Sequence, residues 1–173
     1  MIEGLPFYVT AVFFLTTLLT VWFLFRAMKD VGTRSPGAKL LVFCLPLWML
    51  LTGFLATTDF YRDTEAMPPR VFSFGVLPAL ILIVSLWVFF RESFTDRLSL
   101  KYLTMLHSIR IPVEIVLLWL FQFGQIPKLM TFEGWNFDIL SGVSAIIVYF
   151  LAFRGRKVNR TLLLIWNVVG LGL

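Results

Sequence analysis

His107, Arg110 and Glu114 stand three and four residues apart inside the stretch 103–123, which is otherwise apolar and long enough to cross a bilayer. At 100° per residue the three fall within about 60° of one another, so they share one helical face. An imidazole, a guanidinium and a carboxyl group on one face can bind a small solute, relay a proton or neutralise each other. Ionisable groups in hydrocarbon are costly unless paired or wetted, so this face must turn into a bundle or a wet cavity. Pro112 lies between Arg110 and Glu114, lacks an N–H, and frees the carbonyl of Ser108 one turn earlier. A kink with a free carbonyl beside these groups offers a seat for water or a ligand. Two readings stand. In one, Arg110 and Glu114 form an i,i+4 pair with Arg110 snorkelling toward the headgroups. In the other, Glu114 is a central titratable group, Arg110 its partner or an anion contact, and His107 a relay on the cytoplasmic side.

A second polar focus is the run Thr131-Phe132-Glu133-Gly134-Trp135-Asn136-Phe137-Asp138. Asn136 or Asp138 is expected to cap the helix that follows. Asp138 shares a face with Ser141, Gly142 and Ala145, a strip of small residues that lets helices approach closely. Read functionally, Asp138 joins the substrate or proton site, and Glu133 with Asn136 forms an outer vestibule above Glu114. Asp59, Asp63 and Glu65 lie in another outer loop, expected to be solvated.

Composition decides what must hold these residues. Hydrophobic residues make up 59% of the 173 and charged ones 14%, with a mean hydropathy of +0.88. Soluble domains average roughly 45–50% apolar and about 25% charged, so the chain departs toward membrane proteins on both counts. Apolar runs of spanning length cover residues 6–25, 40–58, 71–90, 103–123 and 136–153, and a shorter run covers 161–173. The expected fold is all-α: one polytopic transmembrane helix bundle over residues 1–173, with five full spans and an unfinished sixth. Pro46, Pro78 and Pro112 would kink three of the spans. Thr10, Thr16, Thr17 and Thr20 are expected to bond back to their own helix.

Eleven of the fifteen Lys and Arg follow spans one, three and five: Arg26, Lys29, Arg34, Lys39, Arg91, Arg97, Lys101, Arg154, Arg156, Lys157 and Arg160. The opposite side holds Arg62, Arg70 and Lys128, while the acidic Glu3, Asp59, Asp63, Glu65, Glu133 and Asp138 lean that way. The positive-inside rule then puts the N-terminus outside a cytoplasmic membrane. The formal net charge of +5 reads as orientation and as contact with anionic headgroups, not as a nucleic-acid footprint.

Several chemistries lose ground. No span centre carries a Lys for a retinal Schiff base, and the single His is one short of the usual transmembrane haem pair. Cys44 is alone, one His with scattered carboxylates is a poor metal set, and no P-loop, HExxH or GxSxG occurs. No cofactor is expected. Asn159-Arg160-Thr161 is a glycosylation sequon by letter only, on the side expected to be cytoplasmic.

Arg110-Ile111-Pro112-Val113-Glu114, with Phe132 to Asp138, resembles a family of uncharacterised bacterial multi-span membrane proteins. The resemblance covers the C-terminal third; it implies a bacterial source and further spans beyond Leu173, and no activity. The expected function is binding or transport of a small solute or proton through the span-four site. The alternatives are an intramembrane enzyme on a lipid-like substrate, with His107 or Glu114 as base, and a non-catalytic subunit whose buried pair specifies helix pairing. Expected partners are membrane lipids and a small-molecule or lipid-like ligand.

Overall fold

The computed structural model describes residues 4–32, 35–63, 65–155 and 157–172. Glu3, Arg34 and Arg156 of the charge pattern, and Leu173 at the end of the last apolar run, lie outside the described residues. Among the described residues every regular element is helical: α1 (Phe7–Ala27), α2 (Pro36–Thr57), α3 (Leu77–Phe89), α4 (Leu100–Leu106), α5 (Arg110–Gln122), α6 (Asp138–Phe153) and α7 (Arg160–Gly170). A π-helical turn, Phe72–Val76, leads into α3, and a 3-10 turn, His107–Ile109, joins α4 to α5. Four helical stretches are long and apolar enough to cross a membrane: Phe7–Ala27, Pro36–Thr57, Phe72–Phe89 and Leu100–Gln122. The fifth expected span is shorter as a helix. α6 has 16 residues, about 24 Å of rise against a ~30 Å core. α7 has 11, about 16 Å. Five full helical spans are therefore not reproduced by helix length alone.

The prolines act through the turns beside them. Pro46 lies inside an uninterrupted α2, whereas Pro78 and Pro112 fall in the first turns of α3 and α5. Pro78 cannot donate to the carbonyl of Phe74, four residues earlier. The indole Nε1 of Trp48 donates to that carbonyl instead, at 3.2 Å. Pro112 has its counterpart in the 3-10 turn, where the ladder tightens one turn ahead of the ring. Thr16, Thr17 and Thr20 donate to the carbonyls four residues back, at 2.7, 3.0 and 2.8 Å.

The chain divides into two compact units, residues 28–98 and residues 1–27 with 99–173. In the first, Gly37 near the start of α2 meets the side chains of Phe90 and Phe94, so closely that a Cβ would lie 2.7 Å from that of Phe94. Ser35 Oγ donates to the Ser93 carbonyl at 3.0 Å alongside.

In the second unit, α1 packs on α4 and α5, α6 packs on α4, the 3-10 turn and α5, and α7 packs on α6. α1 is antiparallel to α4–α5: Tyr8 meets Trp119 edge-on, and the Ser99 N–H donates to the Ala27 carbonyl at 2.9 Å. The buried strip of α6 is Ser141, Gly142, Ala145, Val148 and Ala152. Its exposed positions are Leu140, Val143, Ile146, Ile147, Phe150 and Leu151. Small residues inside and large apolar ones outside suit a lipid solvent, where close packing rather than hydrophobic burial joins helices. Such apolar faces in water would be far larger than a soluble monomer exposes. Together with the four long apolar helices, they fit a membrane protein.

A Cβ on Gly142 would stand 2.9 Å from Ile111 Cγ1, 3.1 Å from the Ile111 backbone nitrogen and 3.2 Å from Arg110 Cβ. Gly142→Val is therefore expected to push α6 off α5 and destabilise the protein by about 1–3 kcal/mol, read as thermal unfolding in detergent. Gly53→Ala in α2, where an added methyl meets open space, should hold or raise the midpoint. Equal losses from both variants would refute the close-packing account.

Candidate functional site

Glu114 is the most enclosed charged side chain of the protein's described residues, with 1% of its surface exposed. It sits in the second turn of α5, and the segment that covers it is not a helix. After Gln122 the chain turns at Gly124, which adopts a positive φ of 70°, passes through a 3-10 turn at Lys128–Met130 and returns alongside α5. α6 runs antiparallel to α4 and α5, and with Gly142 against Arg110 and Ile111 its first residue, Asp138, stands about a turn further along, near the level of Glu114. Irregular backbone at this position is tolerable in a bilayer only where protein encloses it.

Thr131 and Gly134 fix that return. Thr131 is fully buried; its Oγ1 donates to the Lys128 carbonyl at 2.9 Å, and its own carbonyl accepts from the N–H groups of Gly134 (2.8 Å) and Asn136 (3.4 Å). At Gly134 a Cβ would lie 2.4 Å from the Lys128 carbonyl oxygen and 2.7 Å from Leu129 Cα, so no larger residue fits without moving backbone. The turn delivers Asn136, whose Nδ2 donates to Glu114 Oε1 at 2.6 Å and to the Met130 carbonyl at 3.2 Å. Its Oδ1 accepts from the Asp138 N–H at 3.2 Å. Asn136 thus spends its side chain on Glu114 and on the turn. The capping expectation is corrected accordingly: Phe137 is the N-cap of α6 and contributes no side-chain bond.

Arg110 does not pair with Glu114. Its Nη1 bonds to Asp138 Oδ1, which joins the start of α5 to the start of α6. The i,i+4 pair expected from spacing is replaced by a cross-helix one. The close approach at Gly142 sets Asp138, one turn before it, against Arg110. Both side chains are over a third exposed, which limits the pair to about 1 kcal/mol where water reaches it. The small-residue strip, more than this ion pair, holds the two helices together.

Glu114 is left with Oε1 on Asn136 and Oε2 without a hydrogen-bond partner. The backbone N–H of Phe132 lies beside the carboxyl group, outside full hydrogen-bond geometry. An enclosed carboxyl with one open oxygen can accept from an incoming donor. It can also hand over a proton.

His107 stands in the 3-10 turn ahead of α5 and meets a different partner. Its ring lies edge-on against Trp166 of α7, with centroids 4.9 Å apart. Trp166 Nε1 donates to Ser144 Oγ at 2.9 Å, and Ser144 Oγ donates to the Ser141 carbonyl at 3.2 Å. The polar face therefore splits into a carboxyl pocket under the returning segment and a His–Trp–Ser contact among the 3-10 turn, α6 and α7. Glu133 does not reach Glu114. It pairs with Lys128 at 3.6 Å, about half exposed. In the other unit Asp59 pairs with Arg62 at 3.1 Å and Asp63 with Arg70, local surface contacts. Among the described residues no three His, Cys, Asp or Glu side chains converge as a metal set.

Sequence reasoning missed Thr131, Ser144 and Trp166. Ser141 and Ser144 at i,i+3 beside the glycine were a signal for an indole partner; nothing local marked Thr131 as buried.

No family model matches the chain, no curated protein is similar to it, and no solved structure matches it. The resemblance read from Arg110 to Glu114 and Phe132 to Asp138 has no counterpart there, and the site stands on its own geometry.

A double-mutant cycle on Arg110→Ala and Asp138→Ala should give a coupling of about 0.5–1 kcal/mol, and one on Arg110→Ala and Glu114→Ala close to none. Thermal unfolding in detergent measures both, and the reverse ranking would overturn the assigned pairing. Asn136→Ala, which leaves both Glu114 oxygens bare, should destabilise by about 1–3 kcal/mol, and adding Glu114→Leu should recover part of that loss.

Proposed function

We propose that this is a multi-pass protein of a bacterial cytoplasmic membrane, N-terminus outside, that binds or passes a proton or small solute at Glu114. One observation carries the reading: a carboxyl group inside a spanning helical stretch is enclosed, lacks a cation because Arg110 is engaged by Asp138, and keeps Oε2 open. Buried polar groups are as a rule satisfied, and ionisable groups inside spanning segments are as a rule functional. Asn136 orients the carboxyl, and the returning segment shields it from lipid. In this reading that segment and α6 together make the fifth crossing, a helix broken beside its binding group as transporter helices are. His107 serves as the cytoplasmic-side polar contact, screened by Trp166.

A second reading has its own support. The Arg110–Asp138 pair and the Gly142 contact would also serve a non-catalytic subunit, fixing helix register. The two separate on Glu114. In proteoliposomes with an entrapped pH indicator, an imposed pH gradient should drive a proton flux that Glu114→Gln abolishes and Glu114→Asp retains in part, with the unfolding midpoints of both close to the parent. A folded Glu114→Gln protein with undiminished flux would remove the proton reading. A parent protein with no flux for protons or a panel of small solutes would favour the subunit.

A further inference from the structure

At the opposite end of the same unit lies an open cavity of about 470 Å³, lined by Lys101, Tyr149, Phe150, Phe153 and Arg154. Lys101 comes from the start of α4 and the others from the end of α6 and the residue after it. The Lys101 Nζ lies 5.4 Å from the Tyr149 ring centroid, which holds the ammonium at the cavity wall. Arg26, 5.4 Å from the ring of the adjacent Tyr102 and 5.6 Å from that of Trp22, belongs to the same end. These cations have no anion of their own. Neither Lys101 nor Arg154 pairs with a carboxylate among the described residues, and the stretches 99–113 and 139–173 contain no Asp or Glu.

We propose that this cavity binds the phosphate headgroup of an anionic phospholipid, with an acyl chain lying along the exposed face of α6. Charge complementarity argues the headgroup: two unpaired cations face one opening of the size that ligand sites have. The chain is argued from continuity. Phe150, Ile147, Ile146 and Val143 recur at i, i−3, i−4 and i−7 from the cavity downward, all exposed and apolar. A soluble phosphate compound would use the cations and leave that apolar track bare. Tyr149 and Phe153 stand where aromatic side chains anchor at a membrane–water interface. This site is independent of Glu114, which lies toward the other end of the α5–α6 pair.

The test uses the whole chain in a neutral detergent, titrated with phosphatidylglycerol, phosphatidylcholine or glycerol phosphate while thermal unfolding is followed. Phosphatidylglycerol should raise the midpoint saturably, and the other two should not. Each cation near a membrane surface is worth about fivefold in affinity, so Lys101→Gln with Arg154→Gln should weaken the phosphatidylglycerol response about thirtyfold. Lys157→Gln, outside the cavity, should leave it within about twofold. An equal response to glycerol phosphate would make this a free-phosphate site, and an equal loss from Lys157→Gln would make it diffuse surface charge; either overturns the proposal. Should the double variant fail to fold, native mass spectrometry of the parent protein decides. From an equimolar lipid mixture it should retain one phosphatidylglycerol, and retention without preference sinks the assignment.

Discussion

Lipid offers no hydrogen bonds, so every polar group within reach of it must find its partner in the chain. In this protein that constraint concentrates on Glu114. No side chain of α6 bonds to it among the described residues. The donor comes from Asn136, and Asn136 is in place because Thr131 and Gly134 fold the preceding segment back on itself. The glycine in the turn and the buried threonine are two aspects of one requirement: shelter a carboxyl group and give it one bond. The second oxygen is the part that requirement leaves open.

Around this centre the helices are held by closeness more than by charge. Gly142 brings α6 onto the backbone of Ile111, and that contact places Asp138 against Arg110. The ion pair is a result of the packing as much as a cause of it. The same logic operates at Pro78, where a missing N–H leaves the Phe74 carbonyl for the Trp48 indole, so a covalent restriction in one helix becomes a bond to another.

Much of this was legible in the sequence, for identifiable reasons. Helical periodicity put Arg110 and Glu114 on one face of α5, and small residues marked the seam of α6; both are local properties of a regular helix, which His107 in its 3-10 turn does not share. Thr16, Thr17 and Thr20 of α1 bond to their own backbone because that alternative is always within reach, whereas Thr10 shows no such bond. What sequence could not supply was pairing across elements. Arg110 chose Asp138 over Glu114 through an approach fixed by Gly142, 32 residues away in the chain. The returning segment was hidden for a similar reason: its apolar letters continue those of the next span, so residues 136 and 137 read as helix while the backbone turns there. Asn159, dismissed as part of a chance sequon, is the N-cap of α7, accepting from the Leu162 N–H at 3.0 Å.

The inside-out layering of α6 constrains how this sequence can vary. At Leu140, Ile147 or Leu151 one greasy side chain can stand in for another, since fluid acyl chains adapt to either outline. At Gly142 a single added carbon meets Ile111 and Arg110, and Ser141 and Ala145 beside it are buried. Drift in this helix should therefore change its largest residues freely and its smallest hardly at all, the reverse of the pattern by which buried cores of water-soluble proteins are usually recognised.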